Sequence, residues 1–190
     1  LPKNTGTVIV KHANPCGVSI KKKHLESYMA ALECDPISAF GGIVSCNFKI
    51  TKIVAEQLSR LFLEVIIANN FDIDALKVLR KKKNLRLIDA SNYALIDELK
   101  FISNNEEILV QSEDITTFNI KDFKIVSKKK PNQSQMKNLI FAFNICRYVK
   151  SNAIVLASNE TTAGIGSGQP SRLDSCQIAI DKMKKFTNIR

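Results

Sequence analysis

The feature that most constrains the fold is a series of short, β-branched apolar runs, separated by segments of helical spacing. These runs lie at residues 7–11, 43–45, 65–68, 85–88 and 153–157. Between most of them, apolar residues recur every three or four positions, as they do on the buried face of an α-helix. The alternation predicts an α/β domain, a layered sheet with helices on both faces, in either a mixed or a parallel arrangement.

The same pattern predicts where helices and loops lie. The first run is expected to break at residues 14–17, Asn-Pro-Cys-Gly, which leaves His12 at the end of a strand. A Gly-rich turn is expected at 164–172, and a subdomain boundary near 128–132. Residues 89–130 are more irregular, with one strand at 108–110. Helices are predicted at 22–33, 51–63 with Thr51 as the N-cap, 72–80, 133–150 and 173–186.

The helix predicted at 133–150 has the strongest periodicity. Its apolar stripe is expected to face the core and consists of Met136, Leu139, Ile140, Phe143 and Cys146.

The chain carries a large positive charge. Its 28 Lys and Arg residues outnumber its 18 Asp and Glu residues, which gives a formal net charge of +10. The lysines lie in scattered clusters, only six of the basic residues are arginine, and no segment interleaves basic with aromatic residues. Solvated faces explain this pattern better than a nucleic-acid surface, which relies on arginine and stacking rings. No nucleic-acid partner is therefore expected, and a basic nucleic-acid-binding domain is kept as an alternative.

Cysteine content bears on metal binding and on redox environment. The five cysteines are far apart, no C-x-x-C pair occurs, and the chain has only two histidines. We therefore expect no structural zinc and mostly buried, free thiols. Cys16 is the exception, because it stands between Pro15 and Gly17 in the expected turn.

Nothing in the sequence predicts a membrane protein. No apolar run approaches the roughly 20 residues that a membrane-spanning helix needs, and residues 1–4 do not resemble a signal peptide. A cytoplasmic protein with no membrane partner is expected. Since the chain begins at Leu1 and not at Met, we also expect it to be part of a longer polypeptide.

Two segments could bind a ligand or carry out chemistry. Lys11 and His12 could combine a positive charge, directed at a phosphate or an oxyanion, with a general base, although an isolated histidine is more often structural. The glycines at 164–168 do not have the G-x-G-x-x-G spacing of a dinucleotide site, and no P-loop motif occurs. This segment is therefore either a close backbone approach to a ligand or a tight turn.

Residues 12–19 are faintly similar to the zinc-deaminase signature. In that signature a glutamate stands where this chain has Asn14, and a second cysteine stands where it has Ser19. A zinc-hydroxide mechanism is therefore not expected, even if the α/β fold is related.

Four motifs occur in order at residues 11–17, 35–42, 150–152 and 164–172, with the sequences KHANPCG, DPISAFGG, KSN and GIGSGQPSR. In order and spacing they resemble the transformylase domain of the bifunctional purine-biosynthesis family, which pairs aminoimidazole-carboxamide ribotide formyltransferase with inosine-monophosphate (IMP) cyclohydrolase. The resemblance covers nearly the whole chain and makes residues 1–190 part of the formyltransferase domain. It implies a layered mixed sheet that is cytidine-deaminase-like and has no zinc.

The resemblance implies transfer of a formyl group from 10-formyltetrahydrofolate to the 5-amino group of the ribotide. His12 would be the general base, Lys11 would lie by the phosphate or the departing folate nitrogen, and Asn152 would donate a hydrogen bond to the oxyanion. The residues that would bind the ribotide or the folate are Ser38, Phe40, Gly41, Glu64 and Arg172.

The resemblance also implies a homodimer whose two copies share each site, and a potassium ion near it in the full protein. The cyclohydrolase domain and the rest of the transformylase domain are expected to lie outside this chain, together with some folate contacts and potassium ligands. No metal ligands are expected within the chain, and the isolated chain is expected to be inactive. A non-catalytic module kept for dimerisation is the second alternative.

Overall fold

A computed structural model of the chain describes residues 1–93, 99–112, 114, 116, 118 and 120–187. The chain divides into two units, Leu1–Ser91 with Pro131–Arg190, and Asn92–Lys130. The strands are β1 (Gly6–Lys11), β2 (Asn14–Ile20), β3 (Gly42–Cys46), β4 (Leu63–Ala68), β5 (Arg86–Asp89), β6 (Leu99–Asn104), β7 (Glu107–Ser112), β8 (Ile154–Ser158) and β9 (Thr161–Gly166). The α-helices are α1 (His24–Cys34), α2 (Lys52–Leu58), α3 (Ile73–Leu79), α4 (Gln133–Cys146) and α5 (Arg172–Phe186).

The first unit is built on a mixed sheet. Within the described residues its seven strands run in the order β5-β4-β3-β1-β2-β9-β8. β3, β4 and β5 are parallel to one another, whereas every other neighbouring pair is antiparallel. The prediction of an α/β domain is confirmed, and the sheet is mixed.

Glycines let helices lie directly on one face of this sheet. A Cβ atom on Gly17 would overlap the backbone carbonyl oxygen of Ala31 in α1, and one on Gly166 would overlap that of Ser175 in α5. Ile165, whose side chain alternates to the opposite face, packs in a cluster with Phe141 of α4. Helices therefore lie on both faces of the sheet.

The larger part of the core lies among the central strands and the first three helices. Ile9, Tyr28, Val44, Ile66 and Leu79 have at most 1% of their surface exposed and belong to one apolar cluster. Because this cluster is closely packed, the loops at the ends of the strands extend from a rigid sheet.

Two segments that were expected to be loops are strands. Residues 14–17 open β2, and the turn lies one step earlier, at His12 and Ala13. Residues 164–166 end β9, because glycine is needed there to pass under α5 and not to form a turn. The first prediction was wrong, and the second holds only for residues 167–171, which connect β9 to α5. Glycine and proline indicate a turn locally, whereas in these two strands they allow close packing against helices and a β-bulge in the β1–β2 pair.

The predicted helices are all present, although α1 begins at His24 and not at residue 22, and α4 ends at Cys146 and not at residue 150. α2 ends at Leu58, and Leu63 belongs to β4 and not to the helix. Thr51 occupies the N-cap position of α2, but its side chain makes no capping hydrogen bond. None of the helices in the described part of the chain is long and apolar enough to cross a membrane.

α4 exposes part of the stripe that was predicted to be buried. Its buried residues are Phe141 and Ile145, whereas Leu139 and Phe143 are exposed. Periodicity identified the helix correctly, but Phe141 and Ile145 lie on the side of the helix nearly opposite the centre of the predicted stripe, since each residue turns an α-helix by about 100°.

The second unit contains an antiparallel hairpin of β6 and β7, which pairs Phe101 with Val110 and Ile102 with Leu109. Every residue of both strands is exposed. The strand predicted at 108–110 lies within β7. A 3₁₀ turn follows at Ile120–Asp122.

Candidate functional site

The predicted site residues lie along one edge of the mixed sheet, the edge formed by one end of its strands and not by an outermost strand. At this edge β1 and β9 end, and β2, β3, β4 and β8 begin, as the strand directions require. We call it the site edge, formed by the turn at 12–13 and by residues 35–41, 59–64, 150–153 and 167–172. On it lie all eight predicted site residues, Lys11, His12, Ser38, Phe40, Gly41, Glu64, Asn152 and Arg172.

His12 stands at the tip of the β1–β2 hairpin. Lys11 pairs with Asn14, so His12 and Ala13 are the two central residues of the turn, with φ values of 50° and 59°. Such positive values suit the right-handed twist of a two-residue hairpin but are uncommon for residues other than glycine, asparagine and aspartate. The turn leaves the His12 side chain exposed, where its ring can reach a ligand.

Lys11 is joined to the loop that precedes β3. Its Nζ donates a hydrogen bond of 2.6 Å to the carbonyl oxygen of Gly41. Gly41 has a φ of +65°, and its N–H donates to the carbonyl oxygen of Phe62 at 2.8 Å. Because an ammonium group has three donors, this bond leaves Lys11 able to reach an anionic ligand as well.

Ser38 is held by the carboxylate of Asp35. The Ser38 N–H donates to Oδ1 at 2.9 Å, and the Ser38 hydroxyl donates to Oδ2 at 2.7 Å. Lys182 of α5 lies 2.7 Å from the same Oδ2. Burial by itself would raise the pKa of the Asp35 carboxyl, but the hydrogen bonds from Lys182 and Ser38 outweigh burial and lower that pKa. Asp35 is therefore an anion that orders the loop.

Phe40 offers an aromatic surface beside these polar groups. Its side chain is 60% exposed, and its ring lies 5.2 Å from that of Phe62, centroid to centroid, at an interplanar angle of 43°. Glu64 is the second residue of β4 and is also exposed. An exposed ring and an exposed carboxylate at the starts of two neighbouring strands suit a ligand that combines a planar ring with polar groups.

Asn152 holds a loop in this structure. The side-chain Nδ2 donates to the main-chain carbonyl oxygens of Gln169 at 3.0 Å and Pro170 at 2.8 Å. The main-chain carbonyl oxygen of Asn152 accepts from the Ser175 hydroxyl at 2.7 Å. Both hydrogens of the side-chain amide are thereby used. Donation to an oxyanion would require one of these bonds to be exchanged, so that role stays a prediction.

Arg172 lies next to Asn152 along the site edge. It is exposed and is the first residue of α5, directly after the Ser171 N-cap, whose hydroxyl accepts from the Asp174 N–H at 3.4 Å. Its guanidinium can therefore swing towards an anionic ligand at this end of the edge.

The eight residues form two neighbouring groups. Six belong to the turn and to the segments before β3 and β4, whereas Asn152 and Arg172 lie beside β8. Three strand spacings, about 14 Å, separate β1 from β8. The segment before β8 nevertheless reaches back, because the Asn14 Oδ1 accepts a hydrogen bond of 3.0 Å from the Lys150 N–H.

Sequence reasoning missed three residues of this edge. Asn14 bridges the two groups, and Asp35 with Lys182 orders the loop that carries Ser38 and Phe40. No local signal could have revealed them, since Asn14 and Asp35 meet partners more than 130 positions away in the chain.

Cys16 does not belong to the site. It is buried in β2, with its Sγ 3.5 Å from the carbonyl oxygen of Ile9. Burial, followed by the nearby charge of Asp35, raises the pKa of the Cys16 thiol to about 12. The expectation that Cys16 lies in a turn, as an exception to the buried thiols, was wrong. Because its pKa is raised, the thiol is protonated near neutral pH. Among the residues that the structure describes, no group of three or more His, Cys, Asp or Glu could hold a metal ion.

Comparison with known proteins gives the class to which this fold and this edge belong. Residues 2–182 match the family model described as the AICARFT/IMPCHase bienzyme. The chain belongs to this family.

Individual relatives agree with the family model. The chain is 42% identical to the bifunctional purine biosynthesis protein PurH of Aquifex aeolicus over 185 residues, 97% of the chain and 36% of the relative. It is 45% identical to PurH of Parvibaculum lavamentivorans over 178 residues, 92% of the chain and 33% of the relative. The chain therefore spans about a third of the length of these relatives.

Proposed function

We propose that the site edge transfers a formyl group from 10-formyltetrahydrofolate to the 5-amino group of aminoimidazole-carboxamide ribotide, a step of IMP biosynthesis. The observation that carries the proposal is convergence. Four motifs separated by up to about 160 positions lie at one edge of one sheet, and they include an exposed histidine, a lysine bonded to Gly41 and an exposed phenylalanine. Membership of the bienzyme family supports the same reaction.

In the proposed reaction the amine nitrogen of the ribotide attacks the formyl carbon. A C–N bond forms to the ribotide, and His12 takes the proton that the amine must lose. The carbonyl oxygen becomes an oxyanion in the tetrahedral intermediate and needs hydrogen-bond donors. When the intermediate collapses, the bond from carbon to N10 of the folate breaks, and N10 receives a proton, so the products are formylated ribotide and tetrahydrofolate.

Two residues of the edge supply the hydrogen-bond donors of this proposal, Lys11 with a positive charge and Asn152 with a neutral amide. Lys11 either binds the ribotide phosphate or assists the departing N10, and its bond to Gly41 fixes the direction of approach. Asn152 is the proposed oxyanion donor, after it has exchanged one of its two carbonyl partners. Their separation along the edge favours a large substrate pair over a single small molecule.

Binding in this proposal is divided between the two groups of the edge. Phe40 stacks on a planar ring, Ser38 and Gly41 contribute polar backbone and side-chain contacts, and Glu64 accepts from the polar groups of the ribotide. Arg172 lies at the end assigned to the folate.

The proposed active protein is larger than this chain. We propose a cytoplasmic homodimer in which both copies contribute to each site, with IMP cyclohydrolase activity in another part of the natural polypeptide. The family implies a potassium ion near this edge, and part of its ligand set is expected to lie outside this chain. We assign the ion no ligands among the described residues and no step.

The test is formyl transfer by the natural full-length polypeptide that contains this chain, followed as release of tetrahydrofolate. His12→Ala should lower kcat at least about a hundredfold, the loss expected for a general base. His12→Asn is the matched variant: asparagine tolerates a positive φ, so it preserves the turn while removing the base. It should lose as much activity as His12→Ala.

Other outcomes would change the proposal in defined ways. Wild-type turnover that survives both substitutions would assign the base to another residue. A full-length protein without formyl transfer would reject the function and favour a non-catalytic dimerisation module. Affinity for nucleic acid that falls steeply with salt and does not depend on Lys11 would favour the basic-domain alternative.

A further inference from the structure

A partly buried ion pair, Asp35 with Lys182, lies where the loop of residues 35–41 leaves α1, and no step of the proposed reaction uses it. The side chain of Asp35 is 3% exposed, and its Oδ2 lies 2.7 Å from the Nζ of Lys182, whose side chain is 33% exposed. Withdrawing both charges from water is costly, so such a pair is weak evidence for stability on its own. The geometry of its other contacts indicates what it does.

The Asp35 carboxylate joins three segments of the chain. Asp35 is the C-cap of α1, its two oxygens accept hydrogen bonds from the N–H and the hydroxyl of Ser38, and Lys182 approaches from α5. The N–H of Ala39 also donates to the Asp35 carbonyl oxygen at 3.2 Å. The loop of residues 35–41 is therefore tied at its start to two helices.

The pair lies directly beside a proposed binding residue. The Asp35 Oδ2 that is 2.7 Å from the Nζ of Lys182 also accepts the Ser38 hydroxyl at 2.7 Å. The effect of the pair on a ligand therefore passes through the loop that carries Ser38, Phe40 and Gly41.

We propose that Asp35 and Lys182 are a positioning pair that holds the loop of residues 35–41 in the conformation that binds the ribotide. The inference rests on the proposed function of the site edge. Ser38 reaches its position through two hydrogen bonds to a carboxylate that α5 holds in place, and the backbone then leads directly to Phe40 and to the bond between Gly41 and Lys11.

The first measurement is steady-state kinetics of the natural full-length polypeptide. Lys182→Met keeps the length of the side chain and removes its charge, so the loop loses its link to α5. We expect the KM for the ribotide to rise at least tenfold, with kcat changed less than threefold. Lys182→Arg restores a cation and should bring KM back to within threefold of wild type.

A second variant separates positioning from stability. Lys182→Met alone leaves an unpaired buried carboxylate, whereas Asp35→Asn combined with Lys182→Met removes both charges at nearly constant volume. The double variant should recover most of the thermal midpoint that the single variant loses, yet keep the raised KM. Lys184→Met, an exposed lysine two residues further along α5, is the matched control and should change neither quantity.

A third measurement does not depend on activity. Amide hydrogen exchange of residues 36–41 should be at least tenfold faster in Lys182→Met than in wild type, while β3 and β4 keep their protection. Unchanged KM in both the single and the double variant would overturn the proposal. If the wild type transfers no formyl group, the proposed function fails and exchange alone decides: faster exchange supports the ordering of the loop, and unchanged exchange overturns it.

Discussion

β4 and β7 are similar strands with different surroundings. Their sequences, LEVIIA and EILVQS, each hold three apolar residues, at least two of them β-branched, directly after a glutamate. In β4 the centre is buried between parallel neighbours and helices, and Ile66 is 0% exposed. In β7 every residue is exposed. The two regions share a strand preference and differ in what covers them.

The comparison shows that a β-branched run specifies an extended backbone and not a buried position. Burial needs a second layer, which β4 finds in the helices of its parallel crossovers. A two-stranded hairpin supplies only one layer and is marginal by itself. Three experiments sharpen the contrast between the sheet and the hairpin.

The largest effect is expected where the sheet meets a helix without side chains between them. Gly166→Ala should cost about 4 kcal/mol or more, because its Cβ would overlap the Ser175 carbonyl oxygen and force α5 away from β9. Gly168→Ala is the control: a Cβ there meets nothing within 4 Å, and only its φ of +67° is unfavourable, at about 1–2 kcal/mol. Urea denaturation measures both. Equal costs would mean that α5 does not press on β9.

A medium effect is expected from truncating matched strand residues. Ile66→Ala should cost about 2–5 kcal/mol, because it leaves a cavity in the main core. Phe101→Ala in β6 removes more atoms but should change stability by at most about 0.5 kcal/mol, since Phe101 is 66% exposed. The unfolding midpoints of the two variants give the comparison. A loss at Phe101 as large as that at Ile66 would show that the hairpin is covered in solution.

The smallest effect on stability is expected from protonation of one carboxyl group, that of Asp35, in the unit that contains the mixed sheet. The pKa of the Asp35 carboxyl lies below its ordinary value of 3.8, so near and below that pH the unfolded chain binds a proton before the folded chain does. The stabilisation from its ionised form is therefore complete above pH 3.8 and is lost as pH falls through the lowered value. The difference in unfolding midpoint between wild type and Asp35→Asn should be constant from pH 7 to pH 5 and shrink below about pH 4. A difference independent of pH down to pH 2.5 would contradict this account.

Much of the fold follows from local pattern. Apolar periodicity located the five helices, and β-branched runs located most strands, because these signals depend on neighbours a few residues away. The β1–β2 turn was misplaced, since His12 and Ala13 carry no turn signal while Pro15 and Gly17 carry a strong one. The buried face of α4 was misjudged for a related reason: the helix meets the sheet through Phe141 and Ile145, a choice made by packing.

The candidate site was likewise predicted only in part from the sequence. The family resemblance selected the eight residues, of which Lys11 and His12 were also candidates by residue type and position, and their roles stay predictions. Their arrangement depends on long-range bonds, of which Lys11 to Gly41, Asn14 to Lys150 and Asp35 to Lys182 are the clearest. The bonds of Asn152 to a loop, and the burial of Cys16, could not be read from motif spacing.

The sequence by itself determined the α/β class, the positions of the helices and the family, because each depends on residue type and local spacing. Only the tertiary structure decided that the motifs share one sheet edge, that the glycines of β9 serve helix packing, and that Asp35 and Lys182 meet at the start of the binding loop. These are contacts between segments remote in the chain, and their energy depends on distance and burial, which local spacing does not encode.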